Sequence, residues 1–238
     1  VVEQLSVPFE CVSVHCSDSN ELKGGSGTHA SRSMRVAGTI AVETATSVIA
    51  AGRKRVAARI GCDESDIAFS DGYFRHVGSN VSFSLFETAA LAPLDDEAPF
   101  PGLSAEHDYR SPGLTFPNGC HICEVEIDPQ TGAVTTCSYV AVDDVGRVIN
   151  PMIVEGQLHG GLAQGLGQAI MEHCLFDEES GQLLSGSFID YAMPRASDMP
   201  PIVSETYNAV AINNPIGVKC AGEAGMTALP PFDAILLD

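Results

Sequence analysis

The stretch Val142-Asp143-Asp144-Val145-Gly146-Arg147-Val148-Ile149-Asn150-Pro151 turns a strand into a helix. Upstream, Cys120 to Ile127 and Ala133 to Val142 alternate in polarity about the turn Asp128-Pro129-Gln130-Thr131-Gly132, which predicts a hairpin. Downstream, Asn150 is an N-cap and Pro151 takes the first helical position, where its missing N–H leaves no bond unmade. That helix is expected to reach about His173. It carries Gly156, Gly160, Gly161, Gly165 and Gly167, each unfavourable by up to about 1 kcal/mol relative to alanine. A helix keeps such residues where a ligand comes very close or where it packs tightly on a sheet, and the sequence leaves both open. Gln164 stands among them and offers an amide to a ligand oxygen.

Beyond this helix, Asp177 to Gly181 reads as a turn, Gly186 to Tyr191 and Ile202 to Asn208 as strands, and Ala192 to Pro201 as a loop. Then comes Gly217-Val218-Lys219-Cys220-Ala221-Gly222-Glu223-Ala224-Gly225. Its glycines suit a backbone that approaches something closely or takes φ > 0. The small neighbours leave the Glu223 carboxylate room, which suits a base meeting a bulky cofactor; alone, the same pattern more often describes a tight loop with a solvated glutamate. Phe232 to Leu237 is expected to begin another helix after Pro230-Pro231.

The N-terminal half opens with Val1-Val2-Glu3-Gln4-Leu5, which reads as the tail of a helix begun upstream and predicts a fragment or processed subunit. Phe9 to His15 is β-branched enough for a strand. Lys23 to Ser33 is a glycine- and hydroxyl-rich loop ahead of a helix from about Met34 to Ile60, with Ser31 or Ser33 as N-cap. Such a loop is either an anion cradle or a plain capped turn; it lacks the Gly-Lys-Ser/Thr ending of a P-loop. A hairpin about Asp71-Gly72 and a helix over Ser82 to Leu91 follow, and Pro93 to Pro117 reads as a connection between lobes. The expected architecture is α+β in two α/β lobes, 1–115 and 116–238.

Net charge is −19, from 31 acidic and 12 basic residues, so nucleic acid and anionic membrane surfaces are repelled. An anionic ligand must then be held locally, by backbone amides or a few placed donors. No apolar run reaches membrane-spanning length. The eight cysteines are scattered through a chain too large to need staples, which suits free thiols in a reducing, cytoplasmic setting. Cys120-His121-Ile122-Cys123 stands without a second pair, and strand geometry sends its two sulfurs to opposite faces, so no metal ligand is assigned.

Four segments, Gly27-Thr28-His29-Ala30-Ser31-Arg32-Ser33, Val142 to Pro151, Gly160-Gly161-Leu162-Ala163-Gln164-Gly165-Leu166-Gly167 and Gly217 to Gly225, in this order resemble the C-terminal part of the large, molybdenum-binding subunit of the xanthine dehydrogenase / aldehyde oxidase / aerobic carbon monoxide dehydrogenase family. Phe188 to Arg195 is similar to its bacterial carbon-monoxide-dehydrogenase-like branch. The resemblance implies the second molybdopterin-binding domain of such a subunit, with a molybdenum–molybdopterin cofactor, in the cytosine dinucleotide form, between two domains. By position, Gly27, Thr28, His29, Ala30, Ser31 and Ser33 line the pterin and its phosphates, Gln164 hydrogen-bonds the pterin, and Glu223 is the base beside the molybdenum. Asp143, Asp144 and Asn150 take structural roles.

The implied reaction hydroxylates a substrate carbon of the aldehyde, N-heterocycle or carbon monoxide class with oxygen from water. Electrons leave to iron–sulfur centres and FAD on an iron–sulfur small subunit and an FAD subunit. The sequence has no pattern for either group. An N-terminal part of the large subunit, or a second molybdenum subunit, is needed to complete the cofactor's surroundings. The contrasting expectation is a non-catalytic domain that keeps the fold for assembly. Cys220 departs from the family pattern, standing where a glycine is usual.

Overall fold

The computed structural model describes residues 1–16, 18–20, 24, 27–94, 102–111 and 113–229. The expected helix after Pro230-Pro231 and parts of the two long loops, Ser26 included, lie outside these residues. The chain divides into two compact units: Val1–Gly27 with Val36–Ser111, and Thr28–Arg35 with Pro112–Asp238.

The first unit opens on α1 (Val2–Leu5) and is built on the long helix α2 (Ser33–Ile60), which the division cuts within its first turn. Gly61, at φ +77°, ends α2 by donating its amide to Ala57 O at 2.8 Å. An antiparallel sheet follows: β1 (Ile67–Ser70), β2 (Tyr73–His76) and β3 (Ser82–Ser84), the first two joined through Asp71-Gly72. The helix expected over 82–91 is therefore half strand. Only α3 (Leu85–Ala89) is helical, started by a capping box in which Ser84 and Glu87 satisfy each other's amides.

Phe74, fully buried, centres a core with Val7, Val56, Ala57, Ile67 and Leu85. Its ring occupies the space that a side chain at Gly52 on α2 would take. Arg55, also buried, spans the carbonyls of Thr88, Ala89, Leu91 and Gly102, capping the end of α3. The strand expected over 9–15 is instead a 3₁₀ turn, Phe9–Cys11, followed by irregular chain. Phe9 and Val14 are more than four-fifths exposed, at 81% and 83%, and pair with no strand among the described residues.

The second unit carries β4 (Asn118–Ile127) and β5 (Val134–Asp144) as an antiparallel hairpin with a bulge at Glu124/Val125. Helix α4 (Pro151–Ile170) follows, its N-terminus capped by the Asn150 side chain, which accepts from Ile153 N at 3.3 Å. The chain then returns as β6 (Ile202–Thr206), parallel to β5, so β5–α4–β6 is a βαβ crossover. Leu158, Leu162 and Leu166, four residues apart on α4, are buried to 1–2% exposure. Leu162 joins Tyr139, Ala141 and Leu229 in the core of this unit. The strand expected over 186–191 is a turn, in which Tyr191 N donates to Ser187 O and Phe188 and Ile189 stand in solvent. The last helix among the described residues is the single turn α5 (Ala224–Thr227).

Candidate functional site

Glu223 is positioned by a chain of anchors that begins at the end of β5. Gly146 and Val218 form a bridge, Lys219 N donates to Val145 O at 2.8 Å, and Arg147 N to Gly217 O at 2.9 Å. Asn214 clips the other side: its amide donates to Val218 O and its oxygen accepts from Val218 N. Gly217 takes φ +70°, and a Cβ there would lie 2.5 Å from Val210 Cγ1, so a side chain at this position is strained and displaces Val210. The Lys219 ammonium meets the Asp144 carboxylate, whose other oxygen accepts from Gly146 N and Ala209 N. Burial pushes the Asp144 carboxyl up, but Lys219 and these two amides outweigh it and hold the group below its ordinary value.

Past this anchor the chain turns inward. Cys220 N donates to Thr115 O at 3.2 Å, and its thiol lies 3.7 Å from Ala30 O and 3.9 Å from Thr115 Oγ1. Cys220 keeps φ out of the left-handed region, so a side chain at this position sets up no backbone strain. Glu223 stands at the N-cap of α5 without capping it. Its Oε2 instead accepts a 2.8 Å hydrogen bond from Ser31 Oγ, 192 residues away in sequence. Ser31 and Ala30 both hold left-handed backbones, at φ +50° and +53°. Two adjacent non-glycine residues in that region mark a strained turn held by its surroundings. Arg35, in the first turn of α2 and buried to 3% exposure, donates to the Gly113 carbonyl.

Ser31, Glu223, Gly119, His121, Asp143 and Cys220 line one cavity of about 580 Å³, with Phe116, Met226 and Ala30 among its other walls. That volume is in the range of small-molecule sites. Its inner wall is a buried polar network. His121 Nε2 lies 2.9 Å from Asp143 Oδ2 and its Nδ1 3.1 Å from Tyr139 Oη, with the His121 and Asp143 side chains 5% and 3% exposed. A neutral imidazole protonated at Nε2 satisfies both contacts, donating to the carboxylate and accepting from the phenol. Burial, with Cys123 and Asp143 nearby, pushes the Tyr139 hydroxyl up to about 12.

The sequence-predicted residues fall into two groups. Ala30, Ser31 and Glu223 line the cavity together. Gly27, Thr28, His29, Ser33 and Gln164 do not line it, and all five are exposed. Gln164 lies on the solvent side of α4, in the same stripe as Gly156 and Gly160, where an added Cβ would meet nothing within 4 Å. The other α4 glycines are packed. A Cβ at Gly161 would lie 2.9 Å from Met226 N and 3.0 Å from Gly225 Cα, and one at Gly165 would lie 2.5 Å from Leu229. The tight packing expected against a sheet is instead packing of Gly161 and Gly165 against α5 and Leu229, while Gly156 and Gly160 face open space. His121 was the residue that sequence reasoning passed over. Its signal was the hairpin register, which sets His121 opposite Ala141 and diagonal to Asp143 on one face.

Residues 1–200 match the family model of the molybdopterin cofactor-binding domain. The chain belongs to that family. It is 33% identical, along its whole length, to the 6-hydroxypseudooxynicotine dehydrogenase complex subunit gamma of Paenarthrobacter nicotinovorans, and covers 30% of it. It is likewise 33% identical over its whole length to the carbon monoxide dehydrogenase large chain of Hydrogenophaga pseudoflava, again covering 30% of that protein. Among solved structures, the Cu,Mo-CO dehydrogenase in its carbon monoxide reduced state superposes over 98% of this chain and 30% of its own with a TM-score of 0.86, at 30% identity. The chain therefore spans about 30% of the length of these relatives. Among the described residues, no helix is long and apolar enough to cross a membrane.

The residues present fit a pterin-type group. A Cβ at Gly222 would press to 3.1 Å on Ser31 Oγ and on Gln157 Oε1, so the bend beside Glu223 is kept free of side-chain bulk. The cavity combines that bend with a carboxylate and a hydroxyl on a largely apolar wall.

Proposed function

We propose that this chain is the part of a molybdenum hydroxylase large subunit that supplies the catalytic base, Glu223, to a bound molybdenum–molybdopterin cofactor. The observation that carries this reading is the Ser31–Glu223 hydrogen bond at the cavity, which joins the loop assigned to the pterin to the loop assigned to the base. The cofactor, when bound, supplies the redox chemistry that hydroxylates an electron-poor carbon of an aldehyde, N-heterocycle or carbon monoxide class substrate with oxygen from water. The chain's own part is to hold, orient and accept a proton. Ala30 and Ser31 present backbone toward the pterin, with Gly27, Thr28, His29 and Ser33 extending that contact to its phosphates. Gln164, exposed on α4 in line with Gly156 and Gly160, would offer its amide to the pterin. Ser31 aims the Glu223 carboxylate, which takes the proton released as water is consumed.

The cytosine dinucleotide form of the cofactor belongs to this reading, as do an iron–sulfur subunit and an FAD subunit that receive the electrons. So does a cytoplasmic location. A net charge of −19 suits an anionic cofactor held by local backbone donors and no long-range attraction.

Glu223→Gln in the complete enzyme tests the assignment, because it preserves size and hydrogen bonding and removes proton acceptance. A positioned base contributes roughly 10²–10⁴-fold, or about 3–5 kcal/mol of barrier. Metal content near wild type with the reductive half-reaction slower by at least two decades is the expected result. Full metal content with a nearly unchanged rate removes Glu223 from the chemistry.

A further inference from the structure

Where α2 ends, three side chains of three donor types converge away from the cavity just described. Cys62 follows Gly61, and its N–H is fixed on Ala57 O at 3.1 Å. Asp66 closes the 3₁₀ turn Glu64–Asp66, and its carbonyl accepts from Val77 N at 2.9 Å. His76 ends β2, in register with Ile67, with its N–H on Val81 O and its carbonyl on Ser79 N. One ligating atom from each of the three lies within 4.8 Å of the other two, the one such cluster among the described residues.

Two further observations single this place out. His76 Nδ1 is buried without any hydrogen-bond partner, although buried imidazole nitrogens are nearly always satisfied. A Cβ at Gly78 would stand 3.1 Å from His76 Cε1, so the ring is closely fenced by the following turn. Cys62, meanwhile, packs against the first unit's core while its sulfur makes only a 3.5 Å contact to Asp63 O.

We propose that Cys62, Asp66 and His76 form a binding site for a divalent transition metal, zinc being the ion that fits the donor set, with a fourth position for water. Zinc takes thiolate sulfur at about 2.3 Å and imidazole nitrogen or carboxylate oxygen at about 2.0–2.2 Å. Tetrahedral donors at those lengths lie roughly 3.3–3.7 Å apart, so atoms that all lie within 4.8 Å of one another close by at most about 1.5 Å. Asp66 is exposed and free to swing, and the other two are held by backbone geometry on both sides. The thiol proton leaves to solvent as the metal–sulfur bond forms. The carboxylates of Asp66 and Asp63 beside Cys62 favour a cation arriving between them. The site lies wholly within the first unit, shares no residue with the Glu223 cavity, and ties the end of α2 to the hairpin β1–β2.

Cobalt(II) is the probe, because thiolate coordination gives it a charge-transfer band in the near ultraviolet. The purified protein bearing the full chain, titrated with cobalt, should develop that band to one equivalent and lose it when zinc is added. Cys62→Ser should abolish the band, and His76→Gln and Asp66→Asn should each weaken cobalt binding at least tenfold, with far-ultraviolet circular dichroism unchanged. Asp66→Asn alters an exposed side chain and keeps the test open if the other variants do not fold. Absence of a band in the unmodified protein overturns the proposal, as does an undiminished band in Cys62→Ser, which assigns the metal to another of the eight cysteines, or undiminished affinity in Asp66→Asn.

Discussion

Gly119 lies opposite Asp143 in the β4–β5 ladder, and the Asp143 carboxylate fills the space that a Cβ at Gly119 would take. A glycine in a strand interior is unfavourable, yet here its missing side chain lets a buried carboxylate sit over the sheet and meet His121. Gly119→Ala is expected to lower stability by about 1–3 kcal/mol by overpacking, and Asp143→Ala by about 1–3 kcal/mol by stripping His121 of its partner. In the double variant the new methyl enters the space that Asp143 leaves, so the loss should be clearly less than the sum. Urea unfolding of the four proteins measures the coupling; strict additivity would mean that the two residues do not compete for one space.

Two of the five tyrosines, Tyr139 and Tyr191, should titrate late, at about 12 against an ordinary 10. For Tyr139 the main cause is burial; for Tyr191 it is the 2.6 Å hydrogen bond from its hydroxyl to Glu172. Both folded-state values lie above the unfolded one. Their stabilisation is thus complete below pH 10 and disappears between about 10 and 12, as the unfolded chain gives up protons that the folded one keeps. Spectrophotometric titration should show a late phase that shrinks with Tyr139→Phe and again with Tyr191→Phe. A single tyrosine phase near 10 contradicts this.

The hairpin, its five-residue turn and the start of α4 were legible in the sequence because each signal there is local. Alternation, an Asp-Pro…Gly turn, and Asn-Pro at a helix start act within a few residues of themselves. The strands expected at 9–15 and 186–191 were not, because a β-branched or aromatic run makes a strand only if a neighbouring edge takes it. Phe188 and Ile189 are 89% and 96% exposed and meet no edge among the described residues. The hydrogen bond between Ser31 and Glu223 was not legible, since no local rule joins residues 192 apart and the family resemblance assigned each to the cofactor, not to the other. His121–Asp143 depended on register, which the sequence gives only after the hairpin turn is placed.

Lys219 and Asp144 hold the front of the Glu223 loop to the end of β5, and both are mostly buried, with side chains 16% and 12% exposed. Lys219→Met leaves Asp144 with two backbone donors and no cation, at an expected loss of about 1–3 kcal/mol near neutral pH. Because the folded Asp144 carboxyl is held below its ordinary 3.8, its contribution is present above that pH and is lost as pH falls below it. The variant should therefore differ most from the parent at neutral pH and converge with it in acid. A stability difference that persists unchanged in acid would place the effect of Lys219 in its aliphatic packing.

The α4 glycines separate packing from ligand approach, because neighbouring positions make opposite demands. At Gly160 an added methyl meets no protein atom within 4 Å, so Gly160→Ala should raise the stability of the cofactor-free protein by up to about 1 kcal/mol through helix propensity. At Gly161 the same methyl meets Met226 N and Gly225 Cα near 3 Å, so Gly161→Ala should destabilise and push α5, with Glu223 at its start, away from α4. If Gln164 and the open stripe face the pterin, Gly160→Val in the complete enzyme should lower molybdenum content at unchanged or higher thermal stability. Gly161→Ala should slow the reaction and lower stability together. Thermal unfolding and elemental analysis of the two variants read both axes at once. Full molybdenum content in Gly160→Val would take the cofactor off that face of α4 and leave packing against α5 as the reason for the glycines that touch it.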